Sequence, residues 1–114
     1  MQQKRCGKTF WVNMVKKVEY HPDAVIELRN AIIWYDDQAD GLGLEFLLDV
    51  KSAESRICQN PTTWPSYEAD TRHYLMQRFP YWIIHLVLFD KIQIVSVAHC
   101  KRKPGYWKHR LKFQ

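Results

Sequence analysis

The sequence predicts an α+β domain in which a helical hairpin packs on one face of a small, mainly antiparallel four-stranded sheet. Three observations carry this prediction. Two stretches with apolar residues at spacings of three and four flank Gly41-Leu42-Gly43, three apolar runs of strand character follow between Thr71 and His99, and a shorter alternating stretch precedes the hairpin. At 114 residues the chain is the size of one domain. Such a domain buries about two-thirds of its unfolded surface on folding and needs neither disulfides nor metal.

Residues 1–13 show no period and are assigned to an N-terminal extension, with a short extra strand through 10–12 as an alternative; residues 14–114 form the single domain. Residues 14–20 alternate loosely and form the first strand. His21-Pro22-Asp23 stops it, since Pro fits the first turn of a helix and Asp23 places negative charge at the positive helix end. From Pro22 to about Asp40, Val25, Leu28, Ile32, Tyr35 and Ala39 make one apolar stripe, whereas Glu27, Asn30 and Asp37 fall on other faces.

Gly41-Leu42-Gly43 breaks this helix, because glycine enters left-handed backbone conformations at little cost. A second helix over 44–59 carries the stripe Phe46, Val50, Ala53 and Ile57 and ends at Asn60-Pro61. Residues 61–70 hold two prolines and no period and read as a loop. Residues 71–79 form the next strand, with Arg72, Tyr74, Met76 and Arg78 on one face, and Pro80 ends it. Residues 81–89 and 92–99 are apolar at nearly every position, joined by a short turn at Asp90-Lys91. One sheet face covers the helices and the other is left for function.

Charge is divided unevenly. Residues 1–70 hold eight Lys/Arg against eleven Asp/Glu, and residues 71–114 hold nine against Asp90 alone; the resulting −3 and +8 give the chain its net +5. A basic working half on an acidic scaffold suits a polyanion or an acidic protein segment, with ordinary solubility charge as the alternative. Cys6, Cys58 and Cys100 are widely spaced without a C-x-x-C, so neither a disulfide framework nor a zinc site is indicated and a reducing cytoplasm fits. No run approaches the roughly 20 apolar residues of a membrane span.

From about residue 20 to 110 the text resembles the RelE/ParE superfamily, often labelled plasmid stabilization proteins. The resemblance rests on H-P-D-A, E-L-R-N-A-I-I-W-Y-D-D-Q, the G-L-G turn with L-E-F-L-L-D-V, I-C-Q-N-P, R-F-P-Y-W-I-I-H-L-V and V-A-H-C-K-R-K-P-G-Y-W-K-H-R, in that order. It implies a cytoplasmic toxin of a type II toxin-antitoxin system, neutralised by a cognate antitoxin. The superfamily includes ribosome-dependent endoribonucleases that cleave mRNA without metal and non-nucleases that inhibit DNA gyrase. Translation inhibition by metal-independent mRNA cleavage is the first reading, and a protein-binding inhibitor of gyrase or another target is the second. No cofactor and no metal is expected.

Cleavage needs an activated 2′-hydroxyl, cations for the phosphate and an acid for the leaving oxygen. Arg78, His99, Arg102 and Tyr106 are the candidates for that work. His is the side chain type whose ordinary pKa lies nearest neutrality. Arg72, Lys101, Lys103, Trp107, Lys108 and Arg110 are the candidates for RNA binding, through guanidinium forks on phosphate, ring stacking and diffuse positive charge. Each has a structural alternative. Arg72 and Arg78 pair with acidic groups of the first half or of the antitoxin, Tyr106 and Trp107 fold back over the open sheet face, and the lysines form a solvated surface. His85, inside an apolar strand, is a buried core residue, and Asp36, Asp37 and Asp40 form a solvated helix end.

Overall fold

The structure is a computed structural model and describes residues 17–66 and 68–113; the extension over 1–13, its alternative strand through 10–12 and the first three residues of the 14–20 strand lie outside them. The elements are β1 (Lys17–Tyr20), α1 (Pro22–Gln38), α2 (Leu42–Gln59), β2 (Arg72–Leu75), β3 (Tyr81–Val87) and β4 (Lys91–His99), followed by a 3-10 segment at Lys108–Phe113. The sheet runs β1-β4-β3-β2. β2, β3 and β4 form an antiparallel meander, and β1 adds in parallel to the outer edge of β4. The predicted α+β hairpin-on-sheet architecture is therefore the observed one.

α1 begins where the sequence places it, with Pro22 in the first turn and the Asp23 N–H donating to His21 Nδ1 at 3.0 Å. Of its predicted stripe Leu28, Ile32 and Tyr35 pack against the core as expected, but the two ends, Val25 and Ala39, do not. Ala24 and Ala31 are the fully buried positions, whereas Val25 is 36% exposed and Ala39 lies past the helix end. A stripe led by two small residues seats the helix close to β4, and it carries Glu27 inward with it, three residues after Ala24.

α2 buries Phe46, Val50, Ala53 and Ile57, as its period predicts. In the turn between the helices Gly41 is left-handed at φ 88°, but Gly43 is needed for a different reason. A Cβ on Gly43 would stand 2.5 Å from the Ile32 carbonyl oxygen, so its bareness lets the two helices touch. Asp36 is not simply solvated: its Oδ1 accepts the N–H groups of Gly41 at 3.0 Å and Gly43 at 3.2 Å and fixes the turn.

The main core lies between the hairpin and the sheet. Its aromatic centre stacks Phe46 on Tyr35 with ring centroids 5.2 Å apart and sets Phe79 edge-on to Phe46 at 5.0 Å. The strand expected over 71–79 stops at Leu75, although Met76 and Phe79 remain buried. The next ends at Val87, because Phe89 has turned out to 97% exposure.

A second, smaller core occupies the other face, which the sequence reading left open. Trp107 packs there on Ile84, Val95 and Ala98, flanked by Trp82, Leu86, Tyr106 and Leu111. The chain after β4 thus folds back as a strap over part of that face. Among the described residues Cys100 is a free, exposed thiol. Among the described residues no helix is long and apolar enough to cross a membrane.

Candidate functional site

The site is built around the far half of β4. β1 pairs with β4 only as far as Ile94, where the His21 N–H makes the last backbone bond to the sheet at 2.9 Å. Beyond that point the edge of β4 would expose unpaired backbone groups, which is costly near a core. Two side chains take the place of the missing strand. Glu27 Oε1 accepts the Val97 N–H at 3.0 Å, and Arg110 Nη1 donates to the Val95 carbonyl at 2.9 Å.

Glu27 and Arg110 also hold each other, through two bonds of 3.0 and 2.9 Å. Ser96 Oγ donates to Glu27 at 3.0 Å and the Tyr106 hydroxyl donates to it at 2.5 Å. Burial pushes the Glu27 carboxyl up, but the bonds from Arg110, Tyr106 and the Val97 N–H outweigh it and hold the group below its ordinary range. Burial and the adjoining Glu27 push the Tyr106 hydroxyl up.

This cluster reassigns several candidates. Arg110 is 6% exposed and held by Glu27, and Trp107 is 2% exposed in the second core, so neither side chain projects freely from the surface. Arg72 spends Nη1 on the carbonyls of Trp64 at 2.7 Å and Thr62 at 3.4 Å, tying the 61–66 loop to β2. Arg78 lies past the end of β2 and pairs with Glu45 at 2.7 Å, at the start of α2. Of the four residues named for catalysis, His99, Arg102 and Tyr106 line one cavity together, with the Tyr106 hydroxyl facing Glu27; Arg78 does not line it. Lys101, Lys103 and Lys108 are exposed, as a basic surface requires.

Two cavities meet at His99 and Arg102. One, of about 610 Å3, lies between α1 and the end of β4, with Trp34, Tyr35, Tyr81 and Glu27 in its wall. The other, of about 560 Å3, lies on the second sheet face beside the strap. Its floor is Ile84, Ala98 and Trp107, its walls are the half-buried Trp64 and Trp82, and Cys100, Arg102 and Lys103 stand at its rim. The Arg102 guanidinium lies over the Tyr106 ring, its carbon 3.8 Å from the ring centroid.

His99 Nδ1 accepts the Lys101 N–H at 3.0 Å, which leaves Nε2 as the nitrogen that carries the proton in the neutral ring, and the ring stands edge-on to Tyr81 at 5.0 Å. His85 is fully buried in β3, as predicted. Burial pushes its pKa down to about 4, and the backbone at Ile83 and Pro61 offsets only part of that. Among the described residues no group of three or more His, Cys, Asp or Glu side chains is arranged to hold a metal ion.

Glu27 is the residue that sequence reasoning missed, having been placed on a solvated face. The signal for it was the helical spacing itself: Glu27 falls between Ala24 and Ala31 on a face whose small residues mark close packing.

Fold and site together define a small α+β domain with a basic, aromatic hollow at the end of its central strand. No family model matches the sequence, and no curated protein matches it. Among solved structures, a chain from the chromosomal ParDE TA system of P. aeruginosa has the same fold, with a TM-score of 0.68 at 16% identity over 77% of this chain and 99% of that one. The chain therefore has a ParE-like fold, the one that its resemblance to the superfamily implied.

Proposed function

We propose that the chain is the toxin component of a type II toxin-antitoxin system, acting in the cytoplasm, and that it works by binding a target protein. The observation that supports the toxin reading is the fold shared with a chain from a ParDE toxin-antitoxin system over nearly all of that chain's length. A cognate antitoxin finds suitable ground on the hairpin. Ile26, Ile33, Trp34, Leu44 and Leu48 are large apolar side chains exposed on its two helices, as an amphipathic partner segment needs.

Binding is favoured over mRNA cleavage by the dispersal of the candidate catalytic group. Arg78 is engaged by Glu45 and the Tyr106 hydroxyl by Glu27, so His99 and Arg102 remain. In-line cleavage calls for a proton acceptor on one side of the phosphate and a donor on the other. An imidazole beside an always-protonated guanidinium supplies a single proton-exchanging group. The exposed Lys101, Arg102 and Lys103 suit an acidic protein surface equally well, and DNA gyrase is the target class that the resemblance offers.

Induced expression tests both parts. Growth arrest that is relieved by co-expressing the adjacent reading frame, with intact transcripts and altered plasmid supercoiling, is the expected result. Transcripts fragmented within the first generation would return the reading to ribosome-dependent cleavage. Harmless overexpression would leave a chain that only binds its antitoxin.

A further inference from the structure

We propose that the cavity on the second sheet face binds a small ligand made of a flat apolar ring system and one anionic group, such as an aromatic carboxylate. This goes beyond the toxin reading and does not depend on it. The cavity of about 560 Å3 falls within the range of small-molecule sites, roughly 300–1,000 Å3. Its buried floor of Ile84, Ala98 and Trp107 offers apolar surface, and the half-buried indoles of Trp64 and Trp82 supply flat walls against which a ring stacks.

The charge at the mouth has one sign. Arg102 and Lys103 stand there, and none of the described side chains lining this cavity is a carboxylate. Arg102 is also held in place. Its guanidinium carbon lies 3.8 Å from the centre of the Tyr106 ring, and the Tyr106 hydroxyl is in turn fixed by Glu27 and sits 3.0 Å from Ser96 Oγ. Arg78 and Arg110 have carboxylate partners, but among the described residues none pairs with Arg102. A preplaced, unpaired fork beside an aromatic hollow selects a ring that carries an anion. A nucleobase suits it less, because Ile84 and Ala98 in the floor carry no hydrogen-bonding side-chain group, and the polar side chains of the lining, such as His99 and Tyr106, are few against the several donors and acceptors of a base.

The test uses the full chain and 1-naphthoate. Calorimetry is expected to give one saturable site per chain, and bound 1-naphthoate is expected to slow modification of the rim thiol Cys100 by a maleimide several-fold. Arg102→Glu, at an exposed position, should keep the wild-type circular dichroism spectrum and weaken binding by about tenfold or more, and Lys103→Glu by less. Neutral 1-naphthalenemethanol and adenosine monophosphate should both bind more weakly than 1-naphthoate. The proposal is overturned by absence of saturable binding, by unchanged affinity in Arg102→Glu, by an unprotected Cys100, or by adenosine monophosphate binding as tightly as 1-naphthoate.

Discussion

Glu27 and Arg110, 83 positions apart in the chain, face each other as carboxylate and guanidinium fork with bonds of 3.0 and 2.9 Å. The pair joins α1 to the C-terminal strap across the unpaired end of β4. It holds one of the cations that the sequence offers for RNA, and through Tyr106 it positions Arg102 at the cavity mouth.

Glu27→Ala should destabilise the fold by about 3 kcal/mol, since it leaves the 7% exposed Arg110 side chain with only the half-exposed Asp23 carboxylate, 3.7 Å from Nε, as counter-charge. Urea unfolding measures this. The double variant Glu27→Leu/Arg110→Met should recover much of the loss; a double variant as unstable as the single would mean that packing, not charge, decides the effect.

Tyr106→Phe should lower stability by about 1–2 kcal/mol through loss of its bond to Glu27 and leave growth arrest intact, because the hydroxyl is turned inward. His99→Ala and Arg102→Ala should weaken growth arrest with little change in Tm, and Arg78→Ala should leave it unchanged. Arrest thresholds and thermal unfolding, measured on the same set, separate these effects.

Gly43→Ala should cost about 1–3 kcal/mol, because the added methyl meets backbone at 2.5 Å and the helices must part. Gly41→Ala meets open space but a left-handed backbone, so its cost of about 1 kcal/mol is conformational. Comparing unfolding midpoints of the two variants distinguishes a steric from a backbone origin.

Stability should fall as pH drops from about 6.5 to about 4. His85 binds its proton near 6.5 when unfolded and only near 4 when folded, so the unfolded state takes up more protons in that window. The full span corresponds to roughly 3 kcal/mol. His85→Leu should flatten the slope there. It should leave the further loss at lower pH, where the Glu27 carboxyl, held below its ordinary range, is finally protonated.

Both helices, the Gly41 turn and the three strands of the meander could be read in the sequence, because hydrophobic period and breaker residues act over a few positions. The stripe of α2 was read in full. That of α1 was read at Leu28, Ile32 and Tyr35 but without Ala24 and Ala31, because the pattern weights large apolar side chains and α1 buries these two small ones most fully.

The sequence by itself determined the elements, their order and the concentration of positive charge after residue 70. Which cations remain free was decided only by the tertiary structure. Burial and pairing depend on partners far along the chain, Glu27 for Arg110 and Glu45 for Arg78, and no local pattern encodes a meeting of that kind. Edge geometry adds the reason for the first pair. β1 stops at Tyr20 while β4 continues to His99, and the exposed ladder has to be satisfied by whatever polar side chains the fold brings there.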